Sequence, residues 1–214
     1  MSDFLLTVCL ALFTEDSRKY YKEGQLVTIY SAIKLLITSS ICWKIFKLRL
    51  GIISSKVLNN MNSIWLLISI GFFFLAIDEL ALIHENIDKL IHIIFNMEES
   101  PLSDRLDDLI VFIYALIGCA VLYRYKEEII KYKFVLKYIM IGLALLFVMV
   151  IADVLTNKTD ILEYFITNKT DMKAVKDILD YIEEITKLIS ESVFIVAFYG
   201  VIKHLQMTNR KKSL

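Results

Sequence analysis

The chain has one proline, six glycines, three cysteines and no net charge, its 24 basic residues being matched by 24 acidic ones. So little proline and glycine leaves no material for flexible linkers or for the turns of a β-rich fold. Cys9, Cys42 and Cys119 all lie in apolar segments with no CxxC pair, which excludes a disulfide framework or a zinc finger. They read as small buried hydrophobes. Without a basic excess there is no electrostatic footprint for nucleic acid, and no specific nucleic-acid motif is present. What the chain has in abundance is apolar surface. Hydrophobic residues make up 57% of its 214 positions, against about 45–50% in soluble domains, and the mean hydropathy is +0.60. That excludes intrinsic disorder. It points to an all-α multipass bundle in the lipid bilayer, organised as a single integral membrane domain over residues 1–214.

A membrane-spanning helix needs about 20 predominantly apolar residues. Five stretches meet that requirement, near 26–48, 64–83, 108–125, 136–155 and 185–205. Helical periodicity runs on past the second stretch to Phe95. It also begins before the fifth, where Val175, Ile178, Leu179, Ile182 and Ile185 recur at helical spacing. Both spans therefore carry amphipathic extensions, together forming a small cap on one face. The Phe4–Phe13 run is too short to span and reads as an interfacial or re-entrant segment. Pro101 punctuates the loop between spans two and three. Thr156–Asp160 and Thr167–Asp171 are identical five-residue copies that read as a local duplication, although each contains an Asn-Lys-Thr sequon.

The basic residues orient this arrangement. The side reached after the first span holds 13 Lys and Arg residues, the opposite side nine, and the tight loops all fall on the richer side. By the positive-inside tendency that side is cytoplasmic, with the N-terminus outside and the C-terminus in the cytoplasm. Only Glu127 and Glu128 among the 24 acids fall on the cytoplasmic side. The expected location is a bacterial inner membrane. The 32 isoleucines, with abundant Lys and Asn, suggest an AT-rich gene and hence mobile cargo such as a phage-defence or immunity system.

Ionisable side chains within hydrocarbon cost about 2.5–3.5 kcal/mol each on insertion scales, and they usually face the bundle interior or water. Here several gather at one depth. With the second span centred near Phe74 and the fifth near Ile195, Asp78 and Glu191 each lie about 6 Å outward of centre. Lys34 falls mid-span as a charge partner for Asp78 or Glu191, Asp153 ends the fourth span, and Asp104, Asp107 and Asp108 open the third. The second span and its extension are richest, with Asp78, Glu79, His84, Glu85, Asp88 and His92. On one continuous helix, Asp78, Glu85, Asp88 and His92 share an arc of about 80°. His84, Asp88 and His92 form an i, i+4, i+8 ladder of the ligand types that hold divalent transition metals. The fifth span adds Glu183, Glu184, Lys187 and Glu191, with Lys187 spaced to pair with both Glu184 and Glu191.

The segment Phe74–Glu85 resembles uncharacterised bacterial multipass proteins in which an Asp-Glu pair ends an apolar helix. A His-Glu pair follows five residues later, and a Glu-Glu helix comes further on. Here those elements are Asp78-Glu79, His84-Glu85 and Glu183-Glu184, with Lys187 departing from the acid expected there. The resemblance implies no particular activity. Intramembrane proteases of the CAAX type place Glu-Glu before the histidines, the reverse of this order. Three functional classes fit the residues. The first is a binding or signalling protein whose outward acid–His site takes a cation or partner, with the basic loops meeting a cytoplasmic protein. The second is a membrane-embedded hydrolase of a lipid-linked substrate, with Asp78, His84, Glu85 and Asp88 holding a divalent metal ion and Glu184 or Glu191 as base. The third is a subunit of an oligomeric cation or proton pore, lined by Lys34, Asp78 and Glu191.

Overall fold

The computed structural model describes residues 26–52, 63–96, 105–157 and 160–212. The Phe4–Phe13 segment, Pro101 and Asp104 lie outside them. Among the described residues there are eight helices and no strand: α1 (Leu26–Ile52), α2 (Ser63–Ala81), α3 (Ile83–Phe95), α4 (Leu106–Arg124), α5 (Lys126–Ile130), α6 (Lys133–Asn157), α7 (Asp160–Phe165) and α8 (Lys169–Lys212). Five of them, α1, α2, α4, α6 and α8, are long and apolar enough to cross a membrane. Each contains or closely overlaps one of the five stretches expected from hydropathy. A proline-free apolar run satisfies every backbone group within itself, which is why such a sequence settles as helix in hydrocarbon. At 44 residues, α8 is about 66 Å long, roughly twice the hydrocarbon thickness. The amphipathic extension and the fifth span are thus one unbroken rod.

The extension of the second span is not continuous with it. Leu82 adopts φ 50°, ψ 49° between α2 and α3. A left-handed leucine costs about 1–2 kcal/mol, and two side-chain bonds hold it there. Asp78 Oδ1 accepts the His84 amide at 3.0 Å, and Asn86 Nδ2 donates to the Ala81 carbonyl at 2.8 Å. The break resets the helical phase. The common arc expected for Asp78 with Glu85, Asp88 and His92 is therefore lost.

Helix α8 packs along α6 and α1, and α1 along α2, so these four spans form the body of the bundle while α4 makes lighter contacts with α2 and α3. The hydrophobic core lies where α1 ends and α2 begins. Trp65 meets Tyr132 and Phe198 edge-on, and Phe72 packs on Phe194 and Phe198. Phe73 and Phe74 remain exposed on the bundle surface. Cys42 is buried as expected, but Cys119 is exposed on α4, because that helix buries none of its residues.

At this end Glu128 is enclosed between helices. Its carboxylate is 0% exposed. Arg49 Nη2 and Lys131 Nζ each lie 2.6 Å from it, and Trp65 Nε1 donates at 3.4 Å. The three donors come from α1, from the turn after α5, and from α2.

Close approach of α6 and α8 depends on Gly142. A Cβ there would lie 2.8 Å from the Phe194 ring, and Phe194 is locked by Phe72 and Phe198. Gly142→Ala is expected to destabilise by about 1–3 kcal/mol through overpacking, despite alanine's better helix propensity. Thermal unfolding of the purified protein checks this. An unchanged or raised midpoint would contradict the packing.

Candidate functional site

Away from the core, the facing stripes of α1, α2 and α8 turn polar. Ser31, Lys34 and Thr38 are spaced i, i+3, i+7 on α1 and are all buried. Glu184, Lys187 and Glu191 repeat that spacing on α8. Deepest in the bundle, Ser39 and Ser69 exchange hydrogen bonds, Ser39 Oγ donating to the Ser69 carbonyl at 2.8 Å and Ser69 Oγ to the Ser39 carbonyl at 2.9 Å. These satisfy their hydroxyls without water, as the membrane interior requires.

Two ion clusters stand above this pair. In the first, the Lys34 ammonium donates to the Leu188 carbonyl and lies 3.8 Å from Glu191 Oε2. Ser31 Oγ donates to Glu191 Oε1. Of the two partners expected for Lys34, the structure selects Glu191. In the second, Lys187 Nζ bridges Glu79 Oε1 at 3.0 Å and Glu184 Oε2 at 3.0 Å, tying α2 to α8. The close contacts of Lys187 are with Glu184 and Glu79, and Glu191 stays within its electrostatic range. Within these clusters three carboxylates, of Glu79, Glu184 and Glu191, face two ammoniums. Among the described residues, Glu191 Oε2 and Glu184 Oε2 are solvent-inaccessible and lack an aligned hydrogen-bond donor. The Lys187 ammonium donates instead to the other oxygen of Glu184, Oε1, at 3.1 Å, and its 3.0 Å approach to Oε2 attracts without the alignment of a hydrogen bond.

The remaining candidates form a rim. Asp78 Oδ2 lies 2.9 Å from His84 Nδ1, so this carboxylate fixes both the amide and the ring of His84. Asp88 Oδ1 pairs with His92 Nδ1 at 3.1 Å, and Glu85 with the exposed Lys89 at 3.1 Å. The His84–Asp88–His92 ladder is thus divided between two separate carboxylate–imidazole pairs. Among the described residues no three His, Cys, Asp or Glu side chains converge closely enough to hold a metal ion. Asp153 on α6 lies within electrostatic range of Asp107, Asp108, His84 and Lys187, and Glu183 is close to Asp153. Arg105 anchors the start of α4 by donating to the Val154 carbonyl at 3.0 Å and lying 3.5 Å from Asp108. Asp78, Asp107, Asp108, Asp153 and Glu183 therefore gather at one end of the bundle from four helices.

Sequence reasoning passed over the serines and threonine of α1. The i, i+3, i+7 stripe of Ser31, Lys34 and Thr38 in an apolar run was the available signal. It also passed over Tyr114, which lies beside Asp78.

Fold and site define an all-helical protein with five helices fit to cross a membrane and a charged network enclosed between them. The chain belongs to the family described as Domain of unknown function (DUF8692), whose model matches residues 5–201. That agrees with the resemblance to uncharacterised proteins at the level of the family. No curated protein and no solved structure matches the chain.

Proposed function

We propose that the protein is an integral membrane binding and signalling protein whose enclosed carboxylate network takes a cation. The observation that carries this reading is the surplus of carboxylate. Among the described residues, the cations paired with Glu79, Glu184 and Glu191 are Lys34 and Lys187, and Glu191 Oε2 is buried without an aligned donor. A buried anion in excess of its counter-charges is stabilised by whatever positive charge enters. The aromatic contacts among Trp65, Phe72, Phe194 and Phe198, which lie on both sides of the Ser39–Ser69 level, support a chamber rather than a through-path.

In this proposal the lysine- and arginine-rich Glu128 end faces the cytoplasm, in a bacterial inner membrane, and the Asp78 end faces outward. Occupancy of the network changes how α8 sits against α1 and α2, and the basic loops present that change to a cytoplasmic partner.

The test is thermal unfolding of the full chain at constant ionic strength, titrated separately with sodium, potassium, calcium and guanidinium chlorides. One of these cations is expected to raise the midpoint saturably, since a ligand at 100 times its Kd stabilises by about 2.7 kcal/mol. Glu191→Gln is expected to remove the shift. No saturable shift with any cation, or an equal shift in the variant, would refute the proposal.

A further inference from the structure

The Glu128 end of the bundle carries positive charge that the chain leaves uncompensated. Arg49 and Lys131 are taken up by Glu128. Lys47 on α1, Arg124 on α4, Lys126 on α5 and Lys137 on α6 are exposed. Among the described residues, no carboxylate lies within ion-pair distance of any of these four. Glu127 is the one exposed acid at this end among the described residues.

Each of the four cations lies instead over an aromatic ring. Lys126 Nζ is 4.7 Å from the Tyr123 centroid, and Lys137 Nζ is 4.9 Å from that of Tyr138. Lys47 Nζ is 5.4 Å from Trp43, and Arg124 Cζ is 5.6 Å from Tyr125. All four fall within the cation–π range of about 6 Å. The other such contact among the described residues, Lys34 over Tyr30, belongs to the buried network.

Ring and cation are also ordered along the helix axes. Helices α1 and α4 run toward this end, and α6 runs away from it. Lys47 follows Trp43 by four residues, Lys126 follows Tyr123 by three, and Lys137 precedes Tyr138 by one. In these three pairs the ring lies toward mid-bundle and the cation toward the end, while Arg124–Tyr125 is reversed. Trp43 and Tyr123 are 45% and 73% exposed, so their rings face away from the core. The pairs share a level as well. By helix rise Lys47 is about 3 Å from Arg49 and Lys126 about 3 Å from Glu128, and Arg49 and Glu128 are in contact. Rings below and long cationic side chains above is the arrangement of a bilayer interface, where aromatics sit at headgroup level and lysines reach out to the phosphates.

We infer that this aromatic–basic collar binds anionic phospholipids of the adjacent leaflet, their phosphates on the uncompensated cations and their acyl chains along Trp43 and Tyr123. A zwitterionic headgroup brings its own ammonium to the collar, whereas a net-negative headgroup offers its phosphate alone. The claim is separate from the cation-binding proposal, since it concerns the opposite charge at the opposite end of the bundle.

The experiment reads tryptophan quenching in the full chain, reconstituted into phosphatidylcholine bilayers. These contain an equal fraction of either phosphatidylcholine or phosphatidylglycerol brominated on its acyl chains. Trp43 is the natural reporter, and Trp43→Phe, which keeps the buried Trp65, supplies the background to subtract. Brominated phosphatidylglycerol is expected to occupy the Trp43 neighbourhood about fivefold more than brominated phosphatidylcholine, the effect of one basic residue at an anionic surface. Lys47→Gln should bring the two lipids level, and Lys47→Arg should keep the preference. Tyr123→Trp should report a similar preference and lose it in Arg124→Gln/Lys126→Gln. Phe112→Trp, on the exposed face of α4 away from the collar, should show none. Higher ionic strength should shrink the preference. Equal quenching by the two lipids at positions 43 and 123 would overturn the inference in favour of an acidic soluble partner. So would a preference as large at position 112, which marks bulk enrichment, or one that survives the glutamine variants. Loss of the preference to excess glycerol phosphate in solution would replace the lipid with a soluble phosphate. None of these outcomes alters the cation-induced midpoint shift, which tests the proposed function by itself.

Discussion

Removing both cationic partners of Glu128, in the variant Arg49→Ala/Lys131→Ala, is expected to destabilise the protein by about 3–5 kcal/mol. The acid is fully enclosed, so it cannot recover its lost ion pairs by turning to water. Among the described residues, the Trp65 indole, at 3.4 Å, is the side-chain donor that would still reach it. The single variants are expected to cost less and unequally. Lys131 is 52% exposed and holds its charge on a solvated stem, whereas Arg49 is 17% exposed and carries the tie between α1 and α5. Adding Glu128→Met to the double variant is expected to restore most of the stability, because an apolar side chain of similar volume needs no counter-charge. Equilibrium unfolding of the four proteins in mixed micelles measures the cycle. A double variant as stable as the wild type would mean that Glu128 is hydrated rather than enclosed.

Nothing in the sequence around Glu128 announces this burial. It sits in Lys126-Glu-Glu-Ile-Ile-Lys131, a run in which four of six residues are charged and nothing local marks one of them for enclosure. Burial comes from three separate chain segments closing over it, and local periodicity carries no information about such closure. The spans were legible for the opposite reason. A hydropathy window is a local quantity, and crossing hydrocarbon is a demand each helix meets alone. The predicted 64–83 span matches Ser63–Ala81 to within two residues at each end. The break at Leu82 escaped notice because the usual markers, glycine and proline, are absent there. The left-handed turn is made by leucine and held by Asp78 and Asn86 from either side. The same substitution of partners runs through the candidate site. Spacing along α8 correctly grouped Glu184, Lys187 and Glu191 on one face, but the partner of Lys187 on the second helix, Glu79, follows from how α2 lies against α8.

This division bears on function. The two ends of the bundle treat buried charge differently. At the Glu128 end one carboxylate has two close cations and an indole donor, an arrangement that is over-compensated and suited to holding α1, α2 and α5 fixed. Around Lys34 and Lys187 the balance is reversed, with carboxylate oxygens left without aligned donors. A rigid end and an under-compensated end are what a binding element coupled to a fixed base requires. A cation can shift helix positions only where its contacts differ between the two arrangements.

Lys187→Met is therefore expected to have the second large effect, and one that depends on the medium. The substitution keeps the stem's apolar packing and removes the charge that separates Glu79 from Glu184. Both carboxylates are mostly enclosed, at 22% and 10% exposure, and uncompensated buried charge of this kind costs about 3–5 kcal/mol. Lys187→Met/Glu79→Gln/Glu184→Gln is expected to recover most of that loss, since the amides can hydrogen-bond each other without a counter-charge. A purely structural ion bridge predicts that the single variant is equally unstable in every salt. The cation-binding proposal predicts otherwise. The cation that stabilises the wild type should stabilise Lys187→Met by a larger increment, because the vacated centre now presents two carboxylates instead of a neutralised one. Midpoints measured across the same cation titration decide between these outcomes. An increment in Lys187→Met no larger than in the wild type would reduce the Glu79–Lys187–Glu184 bridge to a fastener between α2 and α8.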